Sequence, residues 1–213
     1  MFKYLSIILL SLAFLCTNCS RPDKQLESIL NHTENCLEHF PDSSLAILNQ
    51  LKSDEISSAS QKARYALLKS IALDKNYIDV TDDSLISIAV AYYKKHGTAE
   101  EKLKSFLYNG NVFANAKDYD KAMSSYLQAE QYVNKCKDFI IVGRLYSVKS
   151  ILYNNIFDYR TAIVQASQAS EYFLKGGDTT RFLNNLNNMA VIMNNSGLFV
   201  SADEYLRSIE LYW

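Results

Sequence analysis

A pattern of large apolar and small residues returns at a fixed interval through the second half of the chain. In each copy a small residue stands between large apolar ones, and an alanine follows twelve residues later. These alanines, Ala122, Ala162 and Ala202, are forty residues apart. A fixed period of this length is typical of arrays in which one supersecondary unit stacks on the next. Such arrays commonly present extended binding surfaces, so the period favours a binding protein over an enzyme.

The composition favours helices and argues against a nucleic-acid partner. The 213 residues include only two prolines and six glycines, whereas a sandwich or a barrel needs many turns. The hydrophobic fraction of 48% is that of a globular protein, and a formal charge of −1 gives no electrostatic reason to bind nucleic acid. We therefore expect an all-α protein.

Residues 1–18 resemble the signal peptide of a bacterial lipoprotein. Lys3 precedes an apolar run, residues 5–16, which is too short to span a bilayer, and a polar break that contains Cys19 follows. In such signals the cysteine after the cleavage site receives the lipid, so the resemblance implies that Cys19 is the lipid-attachment residue. The alternatives are a cleaved soluble precursor and an uncleaved anchor. The expected location is the bacterial cell envelope, at its periplasmic or outer-membrane face.

The remaining cysteines and histidines give no sign of a metal or catalytic site. We expect Cys36 and Cys136 to be free, partly buried thiols, because an array holds distant repeats apart. His32, Cys36 and His39 fall on one side of the first helix, but no fourth ligand is evident, so we expect no metal ion and no cofactor. The sequence has no phosphate-binding loop, nucleophile elbow or paired carboxylates, and we expect no catalytic residue and no enzymatic activity.

Helical periodicity pairs the helices into hairpins along one repeat domain, residues 19–213. The first helix is expected over 23–40, where Pro41 ends it, and the second over 45–51. Ala46 and Ser84 are assigned to the position of the repeat alanines. The predicted hairpins are two degenerate ones, 23–52 and 57–96, and three clear repeats, 103–136, 143–175 and 183–213.

The repeats resemble the tetratricopeptide repeat, in which a small residue lets the second helix approach the first and a ring closes the end of the hairpin. In the clear repeats these positions hold Gly110, Ser150 and Ala190 for the small residue, and Tyr119, Tyr159 and Phe199 for the ring. Residues 186–205 are most similar to the longer, kinesin-light-chain style of repeat. The chain departs from the family pattern in its forty-residue period and in lacking the closing proline. The resemblance implies a right-handed solenoid of about five antiparallel helix pairs.

In this family the first helix of each hairpin lines the concave face, so the resemblance places a peptide ligand there. Asparagine dominates the positions off the core stripe, and its amide can both donate to and accept from an extended peptide backbone. The basic side chains at 104 and 144 are suited to a ligand carboxylate. Alternatively, asparagine is only a common polar surface residue that crowds residues 184–195 whatever their face. The candidate peptide-binding residues are Lys104, Leu107, Asn111, Arg144, Ser147, Ile151, Asn154, Asn184, Asn187, Val191 and Asn194.

These observations predict a non-enzymatic scaffold that binds a protein or peptide and is anchored in the cell envelope by its lipid. The leader, residues 41–48 and residues 73–77 also resemble a group of envelope tetratricopeptide proteins, whose longer members continue into a membrane helix and a regulatory part. The second hypothesis is therefore the periplasmic sensory domain of a membrane-bound transcriptional or signalling regulator. A third is a nutrient-binding lipoprotein of the glycan-uptake type, although the sequence lacks the added loops that would form a sugar site.

An apolar stripe continues to the end of the chain, at Ala202, Leu206, Ile209 and Trp213. Solenoids normally carry a capping repeat with a polar outer face. We therefore expect this stripe to be covered by a continuation of the chain or by a second copy in a homodimer. The alternative is that it packs on the helix before it.

Overall fold

The computed structural model describes residues 22–197. This range contains nine α-helices, two short 3₁₀ turns and no strand, which confirms the predicted all-α fold. The chain divides into two compact units, Met1–Ile78 and Asp79–Trp213, and the boundary falls within the predicted hairpin 57–96. No helix between residues 22 and 197 has both the length and the apolar character that a membrane span needs. The predictions outside the described residues are those for the signal 1–18, Cys19, Phe199, Ala202, Leu206, Ile209 and Trp213.

Unit one contains three helices, α1 (Lys24–Cys36), α2 (Pro41–Gln50) and α3 (Ala59–Lys75), with a 3₁₀ turn at Ser53–Glu55. The central helix is α3, because it packs against both of the others. Leu30 of α1 and Leu48 of α2 are fully buried, and α3 contributes Leu68 and Ile71 to the same core. Cys36 is half-buried and free, as predicted.

Two details predicted for unit one are wrong. The first helix ends at Cys36 rather than at residue 40, and α2 begins at Pro41 itself. Proline suits the first position of a helix, where its missing N–H would have had no partner in any case. The residues of α2 that face inward also differ from the prediction. Ser44 and Leu48 are buried whereas Ala46 is exposed, so Ala46 is not a repeat alanine.

Polar side chains fix the start of α1 on α3. The side-chain amide of Gln61 accepts from the Asp23 N–H (2.9 Å) and donates to the Asp23 carbonyl oxygen (2.7 Å). Arg64 of α3 donates to Glu27 at 2.6 Å and also pairs with Glu34. The polypeptide is therefore held in place from Asp23 onward.

Unit two is a helical solenoid in which each helix packs on the next. Its helices are α4 (Ser84–His96), α5 (Ala99–Asn115), α6 (Tyr119–Glu130), α7 (Phe139–Asn155), α8 (Tyr159–Lys175) and α9 (Thr179–Asn195), with a 3₁₀ turn at Val133–Lys135. Ser84 begins α4 and is exposed, whereas Ile86 and Ala89 are buried, so the assignment of Ser84 to the alanine position is wrong. Cys136 is free and buried.

The forty-residue period reappears in the backbone, at the residue that ends the first helix of each hairpin. Lys117, Phe157 and Gly197 have positive φ angles of 60°, 64° and 80°. Tyr77, forty residues before Lys117, has a φ of 57° at the end of α3. Only Gly197 suggests this conformation by its residue type, since a left-handed φ is uncommon for lysine and aromatic residues.

A single aspartate then closes one helix and begins the next. The Asp158 N–H donates to the Tyr153 carbonyl oxygen (2.9 Å), the bond that closes a helix in the Schellman motif. The Asp158 carboxylate accepts from the Thr161 N–H (3.1 Å) and caps α8. Asp118 repeats both roles forty residues earlier, between α5 and α6.

The helices of a hairpin approach most closely where the sequence predicts small residues. A Cβ atom built on Gly110 would overlap the ring of Tyr126 on α6. Ser150, Ala122 and Ala162 are fully buried. The close approach predicted at Gly110 is therefore confirmed, and Ser150, Ala122 and Ala162 are buried as that role requires. Ala190, the small residue predicted for the third repeat, is only half-buried.

Candidate peptide-binding face

The first helices of the hairpins in unit two, α5, α7 and α9, are neighbours. The guanidinium of Arg144 on α7 lies over the ring of Tyr108 on α5, 5.5 Å from its centroid. Asn195 Nδ2 of α9 donates to Asn154 Oδ1 of α7 at 3.2 Å. These contacts bring the predicted residues of the three helices onto adjoining surfaces.

The predicted residues on α5 are engaged within the unit. Lys104 Nζ lies 2.6 Å from Glu100 Oε1 and 3.9 Å from Asp138 Oδ2. Asn111 Oδ1 accepts from the Tyr126 hydroxyl at 3.0 Å. A ligand carboxylate at Lys104 would therefore compete with two protein carboxylates, and Asn111 helps to hold α6 on α5.

Leu107 was expected on the binding face, but it is completely buried. The reason is that α5 packs against α4, α6 and α7, which leaves little of its surface open. Leu107 is therefore part of the core.

The open part of the predicted surface lies on α7 and α9. Ile151 is 45% exposed and Val191 is 55% exposed, and their forty-residue separation gives them equivalent positions in successive hairpins. Asn187 and Asn194 stand about one turn to either side of Val191, and both are exposed. Seven residues form what we call the α7–α9 face: Ser147, Ile151, Asn154, Asn184, Asn187, Val191 and Asn194.

The asparagines of α9 divide into two structural groups. Asn184, Asn187 and Asn194 are exposed. Asn185 is buried, and its Nδ2 donates to the Ala166 carbonyl oxygen at 2.6 Å and to the Ser170 hydroxyl at 2.9 Å, which joins α9 to α8. Asn195 was not among the predicted residues. Its hydrogen bond to Asn154 links α9 to α7. The sequence pattern did not indicate this pair, because the two residues are forty-one apart and the repeat period is forty.

The α7–α9 face has a simple chemistry. Two aliphatic side chains offer dispersion contacts, and the hydroxyl and amide groups around them can each donate and accept hydrogen bonds. All seven residues of the face are uncharged at neutral pH. Such a surface suits a neutral ligand that carries both donors and acceptors.

Ionisable groups in the interior of unit two take part in packing. Lys149 is buried and pairs with Glu130 at 2.8 Å. Burial, and next the charge of Glu130, raise the pKa of Tyr146 to about 12. Burial also raises the pKa of the Cys136 thiol, which disfavours the reactive thiolate.

Residues 22–197 contain no group of three or more histidine, cysteine and acidic side chains that could hold a metal ion. Of the three residues considered from the sequence, His32 Nε2 and Cys36 Sγ lie 3.8 Å apart on α1. His39 lies in the turn that follows α1, so the expected helical spacing is interrupted before it.

Comparison with known proteins supports the fold. No protein-family model matches the chain, and no curated protein matches it. A solved structure with a similar fold is the crystal structure of BtubC (BKLC) from P. vanneervenii, with a TM-score of 0.60 and a sequence identity of 13%. The match covers 81% of this chain and 70% of that chain. At this identity, the comparison establishes a shared all-α fold.

Proposed function

We propose that this protein is a non-enzymatic scaffold of tetratricopeptide-like hairpins that binds a protein or peptide segment on the α7–α9 face. The observation that carries the proposal is the pair of exposed aliphatic side chains, Ile151 and Val191, at equivalent positions of neighbouring helices. Exposing both costs hydrophobic free energy, and a ligand side chain that covers them recovers part of it. Asn187 and Asn194 frame the same spot with groups that suit a polypeptide backbone.

The ligand that fits this face is an extended, locally uncharged segment with an aliphatic side chain. An extended backbone presents an N–H and a C=O for every non-proline residue, and these need partners once water is removed. Amide side chains supply both kinds of partner. A charged ligand side chain would lose hydration at a face that offers it no opposite charge.

We further propose that Cys19 carries a lipid that anchors the protein in the bacterial cell envelope. The support is the lipoprotein-like leader, residues 1–18, together with the fixed position of Asp23 on α3. Asp23 lies four residues after Cys19, and four residues of extended chain span at most about 14 Å. A lipid on Cys19 would therefore keep unit one close to the bilayer surface.

A phage-displayed library of random peptides tests the binding face. We expect the full chain to enrich peptides that share an aliphatic residue, and Ile151→Asp with Val191→Asp to lose that enrichment. The matched control is Val164→Asp on α8, which changes an equally exposed aliphatic residue outside the face. Enrichment of the same peptides by the double variant, or of none by the unaltered chain, contradicts the proposed face.

Metabolic labelling with a palmitate analogue tests the anchor separately. We expect label on the unaltered protein in bacterial cells and none on Cys19→Ala. Cys16→Ala is the control, because it alters the other cysteine of the leader and should leave the label in place. Label that persists in Cys19→Ala refutes the assignment.

A further inference from the structure

We propose that one edge of unit two binds the surface of an anionic phospholipid bilayer. Three connections form this edge, those between α4 and α5, between α6 and α7, and between α8 and α9. Four exposed lysines stand on the first two connections, Lys94, Lys95, Lys135 and Lys137. We call these four residues the lysine edge.

Contacts between neighbouring hairpins show that the three connections adjoin one another. Lys104, in the second turn of α5, lies 3.9 Å from Asp138, the residue that caps α7. The ring centroids of Phe139, at the start of α7, and Tyr172, near the end of α8, are 6.3 Å apart. The charges on these connections therefore act from one side of the unit.

The acidic side chains along this edge keep their negative charges but are engaged by groups within the protein. Glu100, for example, pairs with Lys104 at 2.6 Å. Glu101 completes the capping box of α5 with Thr98, and Glu130 pairs with the buried Lys149. Asp138 caps α7 and Asp178 caps α9, each by accepting from a backbone N–H. By contrast, none of the four edge lysines has an ion-pair partner within the range 22–197.

One exposed carboxylate does lie near the edge. Glu171 stands four residues before Lys175 on α8, so the charges of these two residues offset each other locally. Lys175 is for this reason not counted in the lysine edge. The net positive charge of the edge is therefore located at the α4–α5 and α6–α7 connections.

The position of Lys137 is not explained by helix electrostatics. Lys94 and Lys95 lie in the last turn of α4, where a positive charge is favourable to the helix dipole. Lys137, however, directly precedes the capping residue of α7, at the positive end of that helix, where an added positive charge is unfavourable. Since the whole chain has a formal charge of −1, this local excess is not a consequence of a basic composition.

The side chains at this edge suit a bilayer better than an acidic polypeptide. All four charges are lysines, which attract anions as flexible point charges, whereas arginine favours the fixed geometry of a single carboxylate or phosphate. Phe139, at the α6–α7 connection, is 41% exposed, and Leu174, at the neighbouring α8–α9 connection, is 54% exposed. Lysines next to exposed aromatic and aliphatic side chains are typical of surfaces that lie in the headgroup region of a membrane.

This inference goes beyond the proposed function and does not require a lipid on Cys19. A single acyl chain gives only marginal membrane binding, and a basic patch is a common second contribution. The two contributions would act together if both are present. Each can be tested in the absence of the other.

Vesicle sedimentation of the unacylated full chain tests the proposal. The probes are vesicles of phosphatidylcholine alone and of phosphatidylcholine mixed with phosphatidylglycerol. Because we expect the apolar leader to bind both kinds of vesicle, the readout is the ratio of the two partition coefficients. We expect a clear preference for the anionic vesicles at low salt, and its loss at high salt because ions screen exposed charges.

The edge variant replaces Lys94, Lys95, Lys135 and Lys137 with glutamine. The matched control replaces four other exposed basic residues with glutamine: Lys24, Lys52, Lys117 and Arg160. Each lysine near an anionic surface raises the membrane-binding constant by a factor of about five. The preference for anionic vesicles should therefore fall at least about tenfold in the edge variant and less than about twofold in the control. Circular dichroism should show both variants folded, since all eight side chains are exposed.

Three outcomes overturn the proposal. The first is no preference of the unaltered chain for anionic vesicles, and the second is an equal loss in the edge variant and the control, which would mean that only net charge matters. The third is an edge variant that keeps its vesicle preference but loses binding to polyglutamate. That result would assign the lysine edge to an acidic polypeptide.

Discussion

Replacing Gly110 with alanine should destabilise the protein, although the same change stabilises most helices. A Cβ atom at position 110 would lie 3.0 Å from Tyr126 Cζ and closer still to two other atoms of the same ring. The ring is almost completely buried, and its hydroxyl donates to Asn111 Oδ1 at 3.0 Å. Tyr126 can therefore make room only by giving up this bond or by pushing α6 away from α5.

The expected size of the effect follows from three contributions. Alanine gains about 1 kcal/mol over glycine from helix propensity. Overpacking a core costs about 1–3 kcal/mol, and the upper end applies here because the overlap is with a rigid ring. Losing or straining the tyrosine hydrogen bond removes about 1 kcal/mol more. The net loss is about 3 kcal/mol, which lowers the melting temperature of a protein of this size by about 6–12 °C.

Urea and thermal unfolding of the full chain, followed by far-ultraviolet circular dichroism, measure this loss. Gly143→Ala is the graded comparison, since its Cβ would lie 2.7 Å from Phe173 Cδ1, a smaller overlap that should cost less. In a Tyr126→Leu background the ring is absent, and Gly110→Ala should become neutral or stabilising. A stabilising effect in the unaltered chain, or an equal loss in both backgrounds, would refute the close approach of α5 and α6.

Three further changes test other features of unit two. Asp158→Ala removes the cap of α8 and should lower the free energy of unfolding by about 1 kcal/mol in urea titrations, and an unchanged midpoint would contradict the capping role. Glu130→Gln leaves the buried ammonium of Lys149 without its partner and should lower the free energy of unfolding by about 3 kcal/mol. A loss below about 1 kcal/mol would contradict this, because it would mean that water hydrates the ammonium in the variant. Burial raises the pKa of Tyr146 to about 12 in the folded protein, above the value of about 10 in the unfolded chain, so its contribution to stability is complete below about pH 10 and is lost between about pH 10 and 12. Tyr146→Phe should reduce the fall in unfolding midpoint over that range, and a pH profile equal to that of the unaltered chain would contradict the assignment.

The helical fold was predictable because the determining signal is local and repeated. Small residues at Gly110 and Ser150 and alanines at Ala122 and Ala162 recur at one interval, and the packing they permit follows from their size alone. The left-handed residues at the ends of α5 and α7 were not predictable in the same way. Lys117 and Phe157 adopt that conformation because the hydrogen bonds of the closing turn hold it, not because their side chains favour it.

The residues of the candidate face were only partly predictable, and the errors share a cause. Helical spacing identifies which positions lie off the core stripe, and it correctly found the exposed residues Ile151, Asn187 and Val191. Spacing cannot reveal which helices pack against a given helix. It therefore missed the burial of Leu107, and it did not anticipate that Lys104 would pair with the carboxylates around it.

The turns and the α7–α9 face are linked through the same period. The aspartate between α7 and α8, Asp158, fixes where one helix ends and the other begins. The equivalent aspartate between α8 and α9 is Asp178, whose N–H donates to the Phe173 carbonyl oxygen to close α8 and whose carboxylate accepts from the Arg181 N–H to cap α9. Because each connection has the same length, residues 156–158 and 176–178, and ends in a capping aspartate, the turns set the rotation of α9 relative to α7. Val191 therefore takes the position in its helix that Ile151 takes in α7. A ligand that spans both aliphatic residues of the proposed face would thus depend on two aspartates that it does not need to touch.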